Sequence, residues 1–311
     1  MNIIPIVLTF DNNMSLPAAV CITSLLMNAR ENTLYDFYVL YSGKQPIITG
    51  LEKIMSRFPN MRIHFRSVGN SFDSAFEIRG ITKAAYYRLL APQLITEYNR
   101  VIYTDVDILY KMDLCDIYEM NLGNNYVAAV PALGILSDAS GKRYLESIGL
   151  NSNNYFVSGF QVMDLEKMRR DELVKHFVDE AKNNYKYQDQ DILNIVCKNR
   201  IASLNSSFSL GVSAIDILLR DKSNIVDFDI DTAINKSNLH YNGAKPWNDW
   251  CPLMDQWWEC YRQSPIFDPT LYFGYFFNKL EYLDQLPLYK RIKILIRYFV
   301  FGQKKPSYNY L

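Results

Sequence analysis

Two clusters in this 311-residue chain have residue types and spacings suited to chemistry. Asp105-Val106-Asp107 follows the apolar run Arg100 to Thr104, which reads as a short buried strand. Two carboxylates leaving a strand end one residue apart can bracket a hard divalent cation, and oxygen donors suit magnesium or manganese. Such an ion keeps open positions that phosphate oxygens fill, which couples it to a nucleotide diphosphate. Acidic residues also end strands as ordinary surface features, and the triplet alone does not separate these readings. In the second cluster, His240-Tyr241-Asn242-Gly243-Ala244-Lys245-Pro246-Trp247, an imidazole able to bind metal precedes a permissive glycine, a lysine and an apolar clamp. His240 would complete an Asp, Asp, His set, and the compact charge of Lys245 suits a leaving phosphate.

Positioning these groups falls to an alternating pattern of strands and helices. Ile3 to Phe10, Phe37 to Tyr41, Arg62 to Val68 and Arg100 to Thr104 read as strands. Between them lie an amphipathic stretch with Leu16, Val20, Ile22, Leu25 and Leu26, then Pro46 to Phe58, then the helix-like Lys83 to Leu90. Tyr126 to Val130 and Phe160 to Met163 add strands, and Asp171 to Asn184 and Gln190 to Lys198 add helices. The expected fold is α/β, with a mostly parallel, mixed central sheet flanked by helices. Ligands on such sheets bind beyond the carboxyl ends of the strands, where Asp11 and Asp105 would both lie. Ser203 to Asn238 reads as irregular loops around a site. No glycine- or proline-rich linker appears, so one domain is expected over residues 1–265, followed by an extension over 266–311.

Composition narrows the partners. With 49% apolar and 21% charged residues a large core can form, and 33 basic side chains cancel 33 acidic ones, so no global field favours nucleic acid. The longest apolar stretches fall far short of the roughly 20 residues of a membrane span, and neither a span nor a signal peptide is expected. Five cysteines without a CxxC pair point to free thiols in a reducing cytosol. The final 27 residues, 285–311, differ: Lys290, Arg291, Lys293, Arg297, Lys304 and Lys305 give six positive charges with no acid, leaving a formal net of minus six on the remainder. Leu288, Ile292, Leu295 and Phe299 fall on one helical face with Lys290, Lys293 and Arg297 opposite, the pattern of a helix at a membrane surface. Packing of that helix on the core is the alternative. Trp250, Trp257 and Trp258 suit a sugar platform and a core equally.

The two clusters, together with Asp189-Gln190-Asp191 before a predicted helix, resemble the three ordered markers of glycosyltransferase family 8. Tyr86-Tyr87-Arg88-Leu89-Leu90 and Asp11-Asn12-Asn13 extend the resemblance, which covers about residues 1 to 265. It implies a nucleotide-binding fold of the GT-A type. The implied activity is metal-dependent transfer of a hexose, glucose or galactose, from a UDP-sugar to a hydroxyl of a glycan or lipid-linked, lipopolysaccharide-like saccharide, with retention. By the same resemblance Asp105, Asp107 and His240 would hold manganese (or magnesium). Thr9, Asp11, Asn13 and Val106 would meet the nucleoside, Gly243 and Lys245 the diphosphate, and Arg88 the donor sugar. Asp189 would orient that sugar, and Gln190 would stand nearest the anomeric carbon.

The chemistry of these residue types agrees with such roles. UDP leaves readily only when its growing charge is stabilised, which a cation and Lys245 would do. An amide is a poor nucleophile, so Gln190 suits front-face attack, with the departing phosphate oxygen taking the acceptor proton and Asp189 in reserve as a nucleophile. Met14 stands where many members carry an aromatic residue. Val157 in Tyr155-Phe156-Val157-Ser158-Gly159 replaces an amide, and the spacing from His240 to Lys245 is one residue shorter than in many members. Two rival readings are a haloacid-dehalogenase-like phosphatase using Asp105-Val106-Asp107 and a catalytically idle sugar-nucleotide binding module. Asp107, placed at a solvent-facing strand end, is expected to tolerate replacement by Asn with little loss of stability.

Overall fold

The run Asn-Ile-Ile-Pro-Ile-Val-Leu-Thr forms strand β1 (Asn2–Thr9), buried from Ile4 onward on both faces, as a central strand of a covered sheet must be. The computed structural model describes residues 2–73, 75–78, 82–215 and 234–296. Six further strands join β1: β2 (Thr33–Tyr41), β3 (Met61–Ser67), β4 (Arg100–Thr104), β6 (Val127–Pro131), β7 (Phe156–Asp164) and β8 (Ile201–Ser203). Their order is β3-β2-β1-β4-β7-β6-β8. Every neighbouring pair is parallel except β4 with β7 and β6 with β7. A small second sheet is made by β5 (Ile108–Leu109), β9 (Leu210–Gly211) and β10 (Leu239–His240), in the order β5-β10-β9.

The period-two alternation of β1 sorts its side chains between two cores. Ile4, Ile6 and Leu8 join the core beneath the Ser15–Met27 helix, while Val7 joins the one shared with Tyr86, Leu89, Leu90 and Phe177. Strand and helix expectations are met in kind and shift in extent. Lys83–Leu90 winds as 3-10 turns, the predicted helix from Asp171 shortens to Leu173–Glu180, and β7 begins at Phe156, ahead of Phe160. Ser158 and Gly159 interrupt the apolar run and hide that strand start, because close approach rather than side-chain packing fills the space at the glycine.

Towards the C-terminus, Met254, Trp257, Trp258 and Tyr261 form the buried stripe of the Met254–Gln263 helix. Trp257 and Trp258 are 2% and 1% exposed and lie within a stack of rings, so they are core and not an open sugar platform. The Pro269–Asp284 helix lays Tyr272, Tyr275 and Phe276 against Trp258 and leaves Phe273, Phe277 and Leu280 outside. The predicted tail helix is observed as Leu288–Ile296, with Leu288, Ile292 and Leu295 exposed and therefore not packed on the core. Arg297, Phe299, Lys304 and Lys305 lie outside the described residues, as do 216–233 of the predicted loop region. Among the described residues no helix is long and apolar enough to cross a membrane.

Candidate active site

Parallel pairing of β1 with β4 sets Ile6 opposite Ile102, so both strands deliver their next residues to one end of the sheet. Asp105 leaves β4 there, its N–H bonded to the Gly159 carbonyl at 2.7 Å. Just beyond Asp107, β5 pairs antiparallel with β10, placing His240 opposite Ile108, and the Tyr241 N–H donates to the Asp107 carbonyl at 3.0 Å. This crossing brings together groups 135 and 133 positions apart in the chain, read from the residue numbers. The His240 Nε2 lies 3.2 Å from Asp107 Oδ1 and 3.8 Å from Asp105 Oδ2.

Neighbours fix each group. His240 Nδ1 pairs with the Ser209 hydroxyl at 3.1 Å, which turns Nε2 toward the two aspartates. Tyr103 donates to Asp105 Oδ1 at 2.6 Å and meets the Thr9 hydroxyl at 2.9 Å, linking the end of β1 to the acidic pair. Lys245 Nζ donates to Asp107 Oδ2 and to the Tyr241 carbonyl, both at 2.5 Å. Burial opposes the charge on Asp107, but Lys245 and His240 outweigh it and hold the carboxyl well below the usual range.

Arg88 ties the cluster to the Gln188–Val196 helix. Its buried guanidinium lies 2.9 Å from Asp105 Oδ1 and 3.2 Å from Asp189 Oδ2, donates to the Ser158 carbonyl at 2.6 Å, and packs over the Tyr103 ring. The Asp189 contact pairs charges but is too far off line for a hydrogen bond, and Oδ2 has no other donor. Burial pushes the Asp189 carboxyl up to about 6 against the pull of Arg88. Next to it, Gln190 Oε1 accepts from the Ser158 N–H at 3.2 Å.

A cavity of about 570 Å³ unites most of the predicted site: Asp105, Asp107, Asp189, Gln190, His240 and Lys245 line it. Gly243 and Val157 do so too. Asp11 instead borders a second cavity of about 230 Å³ with Tyr41, Lys44, Lys83 and Tyr87, and its side chain caps the Asn13 N–H at 2.9 Å. Asn13 borders a third, about 450 Å³, beside Trp247. Val106 packs its side chain into the core, so any ligand contact it makes falls to its main chain.

Ser209 and Gly159 are among the contributors given no role from the sequence. Ser209 carries no signal in the chain. Gly159 does: a glycine inside a strand marks close approach of another group. A Cβ built there would stand 2.5 Å from His240 Cε1 and 2.7 Å from Asp105 Oδ2, so only glycine lets the acids and the imidazole converge.

The donor set fits a divalent cation. Asp105, Asp107 and His240 can each offer one ligand atom with all three within 4.8 Å of one another, a grouping found once among the described residues. Asp107 Oδ1 is buried with no hydrogen-bond donor, as an oxygen awaiting a cation would be.

The mixed seven-stranded sheet flanked by helices is the fold of GT-A glycosyltransferases such as LgtC, and the acidic pair and imidazole lie beside the cavity at the carboxyl end of its strands. Residues 5–251 match the sequence model of Glycosyl transferase family 8, and the chain belongs to that family. It is 26% identical over 239 residues to lipopolysaccharide 1,2-glucosyltransferase of Escherichia coli strain K12, covering 74% of this chain and 69% of that protein. To lipopolysaccharide 1,3-galactosyltransferase of Salmonella typhimurium strain LT2 it is 27% identical, covering 67% and 66%. The structure of galactosyltransferase LgtC in complex with donor and acceptor sugar analogues superposes with a TM-score of 0.69 at 26% identity, covering 83% of this chain and 95% of that one. The chain is therefore a glycosyltransferase, and the phosphatase reading falls.

Proposed function

We propose that the chain transfers glucose or galactose from a UDP-hexose to a hydroxyl of a glycan or lipid-linked saccharide of the lipopolysaccharide kind, with retention and with manganese or magnesium at Asp105, Asp107 and His240. The observation that carries this reading is the convergence of that donor set, Lys245, Asp189 and Gln190 on one cavity. When bound, the cation supplies electrostatic stabilisation of the departing diphosphate. Lys245 adds fixed positive charge beside Asp107, and the main-chain groups around Gly243 can approach a phosphate closely. Thr9, Asp11, Asn13 and the Val106 main chain hold the nucleoside at the ends of β1 and β4. Arg88, already neutralised by two carboxylates, positions Asp105 and Asp189 and meets the sugar from that side.

Gln190 is held through Oε1 by the Ser158 N–H, which orients its carbonyl dipole for a cationic anomeric carbon. A neutral amide does not form a stable glycosyl ester, so attack from the front face, with the leaving phosphate oxygen accepting the acceptor proton, suits it best. Asp189 is the reserve nucleophile.

Incubating the protein with manganese and UDP-glucose or UDP-galactose, with water as acceptor, tests this: slow UDP release with a retained anomer is expected. Binding without release would reassign the chain to an idle sugar-nucleotide binding module. The ionised form of Asp189 is the one that stabilises positive charge on the sugar. With its carboxyl at about 6, kcat/KM for release should fall as pH drops through that value, and Asp189→Asn should abolish this acid limb.

The reading extends to location. All five cysteines are free, which suits a reducing compartment such as the cytoplasm. Exposed Phe273, Phe277 and Leu280 adjoin in sequence the helix bearing exposed Lys290, Arg291 and Lys293, so we place this region against an anionic membrane face. Deleting residues 285–311 should lower sedimentation with anionic vesicles, as should Phe273→Ser with Phe277→Ser, each leaving UDP binding intact. Salt should weaken the interaction, and equal sedimentation would refute it.

A further inference from the structure

Asp191 ends the Asp189-Gln190-Asp191 triplet, yet the active-site cavity is lined by the first two and not by the third. Its carboxylate is fully buried and gathered by three donors from three segments. Oδ1 accepts from the Tyr155 hydroxyl at 2.5 Å, and Oδ2 accepts from the Tyr144 hydroxyl at 2.6 Å and the Tyr187 N–H at 2.8 Å. The Tyr144 hydroxyl in turn accepts from the Lys186 N–H at 2.8 Å, and its ring meets that of Tyr187 edge to face.

Each donor belongs to a different wall of the site. Tyr144 lies on the Ala139–Ser147 helix, which follows the Leu133–Leu136 turn whose Leu133, Gly134 and Ile135 face the cavity. Tyr155 leads into β7, which carries Ser158 and Gly159 to the acidic pair. Tyr187 opens the helix that presents Asp189 and Gln190. Asn194, one turn further along that helix, bonds both main-chain groups of Phe156, at 2.9 and 2.8 Å, so the helix is stitched to β7 at two levels. A buried carboxylate satisfied by short hydrogen bonds from separate segments holds them in one geometry, because releasing any donor leaves charge unsolvated.

We propose that Asp191 is a positioning residue. With the Tyr144 and Tyr155 hydroxyls it forms a latch that clamps the 133–147 wall and β7 onto the helix start, and so sets Asp189 and Gln190 against the anomeric carbon. The role at the anomeric carbon rests on the transferase reading; the latch itself does not.

Tyr144→Phe removes one hydroxyl and keeps the ring, so the fold is retained. In this variant, hydrogen exchange should accelerate at both 133–147 and 187–196, segments that a latch couples and that independent packing would not. The kcat for UDP release from UDP-glucose with manganese should fall about tenfold, since misplacement by a fraction of an ångström at a reacting centre costs that much. The Kd for UDP with manganese should stay within about twofold, because this latch touches no nucleotide contact. Asp191→Asn should show the same pattern with a larger loss of kcat. Faster exchange confined to 139–147, an unchanged kcat, or a Kd for UDP that worsens in step with kcat would each overturn the latch. A wild-type protein that released no UDP would count against the transferase reading, while the exchange measurement would still decide the latch.

Discussion

Asp107→Asn is expected to lower UDP release on the order of 10³-fold, because it removes one of the cation's charged ligands and the anchor of Lys245 together. Manganese titration of the variant should show the lost affinity directly, and full activity would contradict the assignment. The variant is also expected to be less stable. The residue is 8% exposed, not solvent-facing as its place after a strand suggests, and its side chain accepts from Lys245 while lying 3.2 Å from His240. Losing such a buried charge-assisted contact costs about 1–3 kcal/mol. The sign of its pH dependence follows from the lowered carboxyl. Asp107 stabilises the fold above the ordinary carboxylate range, and this contribution fades as pH falls through and below it. In metal-free protein the stability gap between wild type and variant should therefore be full at neutral pH and shrink in acid, a difference that thermal denaturation at several pH values measures.

Gly159→Ala should disable the site by geometry alone. Its backbone lies outside the left-handed region, so a side chain is not resisted by conformation; it is resisted by the imidazole and carboxylate already touching that space. His240 and Asp105 would have to part, and Asp105 is held in place by Gly159 itself, by Tyr103 and by Arg88. Overpacking of this kind costs about 1–3 kcal/mol. UDP release should drop roughly 10²-fold, in line with a misplacement of about an ångström at a catalytic centre. Gly274→Ala is the control: it lies on the Pro269–Asp284 helix with nothing within 4 Å of the place its new methyl group would take, and both stability and release should hold. Wild-type manganese affinity in Gly159→Ala would show that the acids and the imidazole do not share a ligand.

Much of this site is legible in the chain because its residue types are chemically uncommon together. Two carboxylates one residue apart after a buried strand, and an imidazole followed by glycine and lysine, point to a cation and a phosphate before any folding is considered. The alternating strand and helix pattern likewise sets the sheet, since a period of two in β1 already assigns Ile4, Ile6 and Leu8 to one core and Val7 to the other. The tryptophans are the opposite case. Their residue type suits a platform or a core, and only packing against Tyr261, Tyr272 and Phe276 makes Trp258 the latter.

What the amino-acid order determined alone is the class of chemistry and the elements that carry it, because ligand type and hydrophobic period are local properties. What tertiary structure alone decided is who shares a space. The antiparallel step from β5 to β10 brings His240 to Asp107, Gly159 opens the gap they need, and Arg88 joins Asp105 to Asp189. These contacts span from 17 positions of chain, between Arg88 and Asp105, to 135, between Asp105 and His240. No local propensity encodes such distances; they follow from the register of strands and the burial of charges that must find partners.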